Sequence, residues 1–274
     1  MTTIDRKLSV AFVTIATNKY IWYWKNLITS ADLNLSSDVN YVFHVFTDQP
    51  DFCKEVEDTL KNVKVKIHSI RPMNWPEATL LRYETINGAR QQIKEDVVMH
   101  IDADSLISEN LSSTFINRDW KNGLAFVSHP GFWRPKGLNL LKFYFFNMHF
   151  LIKDLYKLVK VGGLGTWDSN PASTAYVARK KRKNYVCGGV WMGERESLFQ
   201  MIEELSKQTR ANSDRGIQAK WFDESHLNNW TAFNKNTLLT PNFCFAQGYK
   251  NLKSFKPSII AVDKKIVYPP EESN

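Results

Sequence analysis

Apolar and polar positions follow two distinct periods through the first hundred residues. Leu8–Thr17 (LSVAFVTIAT), Tyr41–Thr47 (YVFHVFT), Val63–Ile70 (VKVKIHSI) and Val97–Ile101 (VVMHI) are short apolar or alternating runs of strand type. Between them, Tyr20–Ala31, Phe52–Leu60 and Leu80–Gln92 carry apolar residues at helical spacing. The alternation predicts an α/β fold with a largely parallel sheet covered by helices on both faces, an architecture of nucleotide-binding type. Open sheets of this kind take ligands beyond the carboxyl ends of their strands. Chemistry is therefore expected at Thr17-Asn18-Lys19-Tyr20, Asp48-Gln49 and Asp102-Ala103-Asp104, which follow three of the apolar runs.

The second half is less regular. It holds aromatic-rich loops, a Gly188-Gly189 pair, and helices predicted over Arg195–Gln208 and Glu224–Asn234. Leu138–Val161 reads as one amphipathic helix: Phe143, Phe146, Phe150, Leu151, Leu155 and Leu158 supply its apolar side, and Lys142, His149, Lys153, Lys157 and Lys160 its polar side. Pro135, Gly137 and Gly162-Gly163 bound it. Such a helix either buries its apolar side against the domain or touches a membrane surface.

Composition narrows the picture. A chain of 274 residues, 43% hydrophobic and 23% charged, can bury one globular core, which excludes disorder and coiled coil. The most membrane-like stretch, Phe143–Ile152, is far shorter than the roughly 20 residues of a spanning helix, so no transmembrane segment is expected. Met1–Leu8 has neither the apolar stretch nor the cleavage site of a signal peptide, and a cytoplasmic location follows as the expectation. Cys53, Cys187 and Cys244 are too widely separated for a metal knot and read as packed free thiols. The 36 basic against 28 acidic residues, a net charge of +8, favour anionic partners. The run Arg179–Lys183 is either solvated surface or a phosphate contact, and with no recognition module beside it no nucleic acid is expected.

Two clusters carry candidate chemistry. In His100-Ile101-Asp102-Ala103-Asp104 a buried strand opens into a loop with two carboxylates. Such a pair can hold a hard divalent cation whose coordination bound phosphates complete, or can cap a turn. In Trp221-Phe222-Asp223-Glu224-Ser225-His226-Leu227, Asp223 is a plausible helix N-cap. Glu224, just inside the helix, would be favoured as an ionised carboxylate and could stabilise a cation or act as nucleophile. His226 can bridge the helix to the core. Gly188-Gly189 is either a bulge or a place where a ligand approaches the backbone.

Taken together these segments resemble the family 6 glycosyltransferases, the group containing the histo-blood-group A and B transferases and the α(1→3)-galactosyltransferases. Gly216–Leu227 (GIQAKWFDESHL) is close to a family signature, and Val42–Pro50, His129-Pro130-Gly131-Phe132 and Pro171–Val177 support it. The resemblance spans about Leu8 to Lys264. It implies a GT-A fold and a single catalytic domain over 1–274, with a nucleotide-binding half at 8–128 and an acceptor-binding and catalytic half at 129–274. The helical segment of about 138–161 would lie over or beside the acceptor cleft. The implied reaction moves N-acetylgalactosamine or galactose from a UDP-sugar to a galactose-terminated oligosaccharide or glycolipid, with or without fucose, in α(1→3) linkage, with retention.

Carried over position by position, the resemblance puts Ile15, Ala16, Thr17 and Tyr20 around uracil and ribose, and Arg82 near the donor. Asp102 and Asp104 become the ligands of manganese, or a similar divalent cation, and of the diphosphate; bacterial relatives with Asn-X-Asn there need no metal, and this chain keeps both acids. Gly131, Cys187, Gly188 and Gly189 line the donor sugar, with Gly131 and Gly189 leaving room for an acetamido group. His129 and Trp221 contact the acceptor. Asp223 holds donor hydroxyls, Glu224 is the catalytic carboxylate, and Lys264 closes over the diphosphate. The chain departs from vertebrate members at Ala246, in the arginine-free tail Val267-Tyr268-Pro269-Pro270, and in a longer segment before Trp167. A metal-dependent phosphoesterase or nucleotidyltransferase, and a non-enzymatic carbohydrate-binding module, are the rival readings. The first would need further metal ligands, and the second gives Glu224 no task.

Overall fold

A computed structural model describes residues 7–109, 111, 116, 119–249, 252 and 255–264. The first half runs β1 (Ser9–Ile15), α1 (Tyr20–Asn34), β2 (Asn40–Thr47), α2 (Pro50–Glu57), β3 (Lys64–Ser69), α3 (Glu77–Leu80), α4 (Arg82–Gly88), β4 (Val97–Ile101) and β5 (Ser105–Ile107). The second runs β6 (Leu124–Ser128), α5 (Leu138–Phe146), α6 (Met148–Lys160), β7 (Val186–Glu194), α7 (Arg195–Asp214), α8 (Phe222–Phe233), β8 (Thr237–Leu239), β9 (Phe245–Ala246) and β10 (Ile259–Ala261). The tail Val267–Pro270 lies outside the described residues.

Seven of these strands form the main sheet in the order β3-β2-β1-β4-β7-β6-β8, and β5, β10 and β9 form a smaller one. The β1–β2, β2–β3, β1–β4 and β6–β8 pairs are parallel. β7 runs antiparallel to both β4 and β6. Alternate residues of β1 enter separate cores: Val10 and Phe12 pack on one side with Trp24, Leu27 and Ile28 of α1, Ala11 and Val13 on the other with Phe199 and Ile202 of α7. A strand buried on both faces must be apolar at successive positions, which is why LSVAFVTIAT lacks a clean alternation. The result is a mostly parallel sheet flanked by helices, a GT-A-like fold.

Element boundaries differ from expectation where local geometry intervenes. The helix expected over Leu80–Gln92 is two: Leu81 (φ −93°, ψ 3°) leaves helical geometry between α3 and α4, and the second piece stops at Gly88. The helix expected over Leu138–Val161 is also two, because Asn147 adopts φ −138°, ψ 55°, and its side-chain amide donates to the Phe143 carbonyl at 2.8 Å. That bond caps α5 and frees the chain to turn into α6.

Candidate active site

The chain leaves β1 toward β2 and returns to the opposite neighbour of β1 as β4, so the carboxyl ends of β1 and β4 bound a topological switch point. A cavity opens there. It is lined by Ile15, Thr17, Tyr20, Arg82, Asp102, Asp104 and Lys264 among the expected residues, and by Met73, Trp75 and His100 besides. Ala16 is not among them: it is fully buried in the first core. The loop after β1 is shaped by short-range bonds. Thr17 Oγ1 donates to the Met73 carbonyl at 2.8 Å, and Asn18 takes the left-handed φ of 53°. Asp48 Oδ1 accepts from the Asn18 backbone N–H at 3.0 Å, and Gln49 Nε2 donates to the Asn18 carbonyl at 2.9 Å. Asp48 and Gln49 thus serve the loop.

Arg82, on the first residue of α4, ties the cleft together. Its Nη2 donates to Asp102 Oδ1 at 2.8 Å, and its Nη1 donates to Asp223 Oδ2 at 2.6 Å and to the Gly188 carbonyl at 3.0 Å. Burial would raise the Asp102 carboxyl, but the charge of Arg82, aided by His100 and Lys264, holds it well below the usual carboxylate range. Asp104 goes the other way, raised by burial and by the adjacent Asp102 despite Lys264, whose Nζ stands 2.7 Å from its Oδ2. Lys264 also donates to the Tyr20 hydroxyl at 3.1 Å, joining the end of the described chain to α1.

Opposite this floor lies the amino end of α8. Asn228 pins the helix to β7: its Oδ1 accepts from Val186 N–H at 2.8 Å and its Nδ2 donates to the Val186 carbonyl at 2.9 Å, the two bonds of a missing ladder rung. Of the readings open to Asp223, the N-cap is not the one seen. Trp221 occupies that position, its backbone N–H donating to Ser225 Oγ at 2.8 Å. Asp223 is spent on Arg82 instead, since a buried guanidinium needs a counter-ion more than a helix start needs a side-chain acceptor. Burial outweighs that pairing and raises its carboxyl to about 6.

Each oxygen of Glu224 has its own donor: the Tyr185 hydroxyl to Oε1 and the Gly188 N–H to Oε2, both at 2.8 Å. Burial still pushes this carboxyl up to about 7, against those two bonds. Tyr185 accepts from Thr166 Oγ1 at 2.8 Å and, raised by burial and by the charge of Glu224, stays a neutral donor.

The glycine pair has a different reason from the one expected. Gly188 and Gly189 lie inside β7 and face opposite sides of it. A Cβ on Gly188 would come within 3.1 Å of Glu224 Cβ, and one on Gly189 within 2.7 Å of Asp102 Oδ2. A Cβ on Gly131 would meet the Tyr249 and His129 rings at 3.2 and 3.3 Å. Carboxylates and rings of the protein itself fill the space that an acetamido group was expected to use.

The other expected residues scatter. Cys187 is buried in the first core, its thiol 3.9 Å from the Val190 carbonyl, so it does not line the cavity. His129 packs its ring 5.6 Å from Tyr185 and is not among the residues that line the nucleotide-type cavity. Burial, with the charge of Lys157, lowers it to about 4, and its Nδ1 accepts from Gly131 N–H at 3.1 Å, so the neutral ring carries its proton on Nε2. Trp221 is 48% exposed at the mouth of α8. His226 is a core residue, 3.4 Å from Thr174 Oγ1. Two site residues escaped the sequence. Tyr185 has no motif of its own, its one signal being adjacency to the strand that carries the glycines. His100 is buried between Trp191, against which it stacks at 4.7 Å, and Asp102 Oδ1 at 3.3 Å.

The donor set suits one hard cation. Asp102 and Asp104 face the same cavity, and burial first, then the charge of Asp102, raises the carboxyl of Asp104. Among the described residues no third Asp, Glu, His or Cys joins them in a metal-binding group. Two carboxylates leave coordination positions for phosphate oxygens, as in metal–diphosphate sites.

The fold and cleft define a protein of the nucleotide-sugar-binding α/β class. Residues 162–267 match glycosyltransferase family 6. Over 243 residues the chain is 21% identical to a histo-blood group ABO system transferase 1 of Rattus norvegicus, covering 87% of this chain and 61% of that protein. It is 23% identical over 253 residues to an O-antigen biosynthesis glycosyltransferase, WbnI, of Escherichia coli, covering 92% and 93%. It is 23% identical over 241 residues to the human globoside alpha-1,3-N-acetylgalactosaminyltransferase 1, covering 86% and 60%. The chain thus spans about three fifths of the length of these mammalian relatives. Together the matches support a family 6 glycosyltransferase, at low identity.

Two outcomes follow from this geometry. Arg82→Met removes the counter-ion of two carboxylates and should cost about 3–5 kcal/mol of stability in urea unfolding. The loss should shrink in acid as the carboxyls protonate: Asp102, held below the usual carboxylate range, keeps its share until pH falls through that lowered value. Isotope-edited infrared difference spectra should show Glu224 turning from acid to carboxylate near pH 7. Tyr185→Phe, which removes a donor to the ionised form, should move that midpoint higher; a midpoint in the ordinary carboxylate range would contradict both statements.

Proposed function

We propose that this chain is a retaining hexosyltransferase that moves N-acetylgalactosamine or galactose from a UDP-sugar to a galactose-terminated glycan in α(1→3) linkage. The observation that carries the reading is the Glu224 carboxylate, fixed by two donors and facing across β7 from the Asp102–Asp104 floor. Retention requires a carboxylate near the anomeric carbon, whether it bonds to that carbon or stabilises its developing charge. The α(1→3) linkage and the N-acetyl donor come from the name of the human relative, and the E. coli relative is named for O-antigen biosynthesis. Family likeness is the sole support for the N-acetyl donor, because Gly131 and Gly189 are occupied by close packing.

In this reading Ile15, Thr17 and Tyr20 bind the uridine, and Arg82 and Lys264 supply positive charge to the diphosphate. Asp102 and Asp104 would hold a manganese or similar divalent ion, which when bound neutralises charge on the leaving nucleotide. In the cavity Arg82 and Lys264 are each already paired with a carboxylate, Asp102 and Asp104, so a diphosphate entering alone would meet no unpaired positive charge there. Asp223 positions the sugar hydroxyls while holding Arg82, and His129 and Trp221 receive the acceptor. Cys53, Cys187 and Cys244, all free and buried, suit a reducing compartment, which favours the cytoplasm.

A phosphoesterase or nucleotidyltransferase that uses two metal ions would need more ligands than Asp102 and Asp104. A carbohydrate-binding module would have no use for a carboxyl raised to about 7.

Calorimetry with UDP, with and without manganese, tests the reading. Binding should be stronger with the metal and stronger for UDP than for ADP, and equal affinity for both nucleotides would overturn the donor assignment. Transfer from the UDP-sugar should be lost in excess EDTA. Glu224→Gln should lower transfer at least about a hundredfold while UDP affinity barely changes. Near-normal turnover in that variant would transfer the catalytic role to Asp223.

A further inference from the structure

Helices α5 and α6 turn a polar cluster inward, beside Phe143, Phe150 and Leu151, and leave Lys142, Lys153 and Lys160 exposed. Asp154, 2% exposed, accepts from Arg134 Nε and Nη2 at 2.5 and 2.8 Å and from the Tyr144 hydroxyl at 2.9 Å. Lys157 donates to the Gly165 carbonyl at 3.0 Å and stands 4.5 Å over the Phe132 ring. Other apolar groups face outward. Leu138, Leu141 and Phe145 of α5, and Ile152, Leu155 and Val159 of α6, recur at i, i+3, i+7 and form one stripe on each helix; each is between 52% and 78% exposed. Among the described residues nothing covers these stripes, whereas scattered single apolar residues are the norm on a protein surface.

The charge around the stripes has one sign. Lys136, Lys142, Lys153, Lys157 and Lys160 accompany them, and the only acid between Arg134 and Val161 is Asp154, buried on its arginine. Arg179 donates to the Val159 and Lys160 carbonyls, which brings the basic run Arg179–Lys183 to the end of α6. Arg179, Lys180, Lys181 and Lys183 are exposed. A second copy of this face would set lysine against lysine, so charge argues against self-association. No described helix is long and apolar enough to cross a membrane. Short helices that present leucine, isoleucine and phenylalanine flanked by lysines match the boundary between the acyl chains and the headgroups of an anionic leaflet.

We propose that α5 and α6 form a docking face for the surface of an anionic lipid bilayer, with the apolar stripes entering the interface and the lysines and the Arg179–Lys183 run meeting the headgroups. The face is independent of the transfer reaction, and its test uses neither donor nor acceptor.

Co-sedimentation of the full chain with phosphatidylglycerol–phosphatidylcholine vesicles at low salt should recover most of the protein, against little with phosphatidylcholine alone. Two double variants, Phe145→Ser with Ile152→Ser and Lys153→Glu with Lys160→Glu, should each weaken partitioning at least tenfold. All four positions are exposed, so both should keep the wild-type melting temperature. A fluorophore on Ile152→Cys, selective because the native cysteines are buried, should shift to the blue on anionic vesicles. Absence of binding, equal binding to both lipids, or unchanged binding in both double variants would overturn the proposal. So would a concentration-dependent dimer in vesicle-free sedimentation that Phe145→Ser with Ile152→Ser abolishes, because the stripes would then be covered by a second copy.

Discussion

The buried guanidinium of Arg82 holds α4, the end of β4, the middle of β7 and the start of α8 to a single point, through Asp102, the Gly188 carbonyl and Asp223. Each partner needs it for a different reason. Asp102 and Asp223 would otherwise be charges in a poorly solvated cleft, and the Gly188 carbonyl points away from its strand neighbours, where it also accepts from the Trp191 indole at 3.1 Å. Because the arginine spans both, the nucleotide-type floor and the α8 carboxylates cannot shift separately. Tyr83, the next residue, reinforces the tie by donating its hydroxyl to the Asp223 carbonyl at 3.1 Å.

This coupling explains what the sequence reveals and what it hides. The strands β1 to β4 and the helices between them are legible because burial on a sheet imposes a period that survives in a single chain. The position of Asp102 and Asp104 at a strand end is legible for the same reason. Asp223 admits a cap among its readings because an acid before an apolar helix carries that local signal, while the arginine that holds it lies 141 residues away. Neither Tyr185 nor His100 carries a motif that gives it a role, although His100 stands two residues before Asp102. One is defined by a hydroxyl contact across 39 residues and the other by stacking on a tryptophan from a neighbouring strand. The glycines were recognised as places of close approach, but what approaches is the protein's own carboxylates on the two faces of β7.

The segment between Leu138 and Val161 shows the opposite failure. Its helical periodicity is plain, yet periodicity does not say which face turns inward. Burying Asp154 on Arg134, with the guanidinium 4.7 Å over the Phe150 ring, settles the orientation and leaves the leucine and isoleucine stripes outside. The inner side of α6 touches the domain through Lys157, which stands over the Phe132 ring, itself 4.8 Å from the ring of His129.

The two donors on Glu224 have a consequence for freedom of motion. A glutamate on an open helix samples many rotamers, and ordering it costs on the order of 1.5–2 kcal/mol each time it must act. Here Tyr185 reaches it from before β7 and Gly188 from within it, so that entropy is lost once, when the chain folds. Any positive charge that develops beside β7 meets a carboxylate that is already oriented and has no reorganisation left to make.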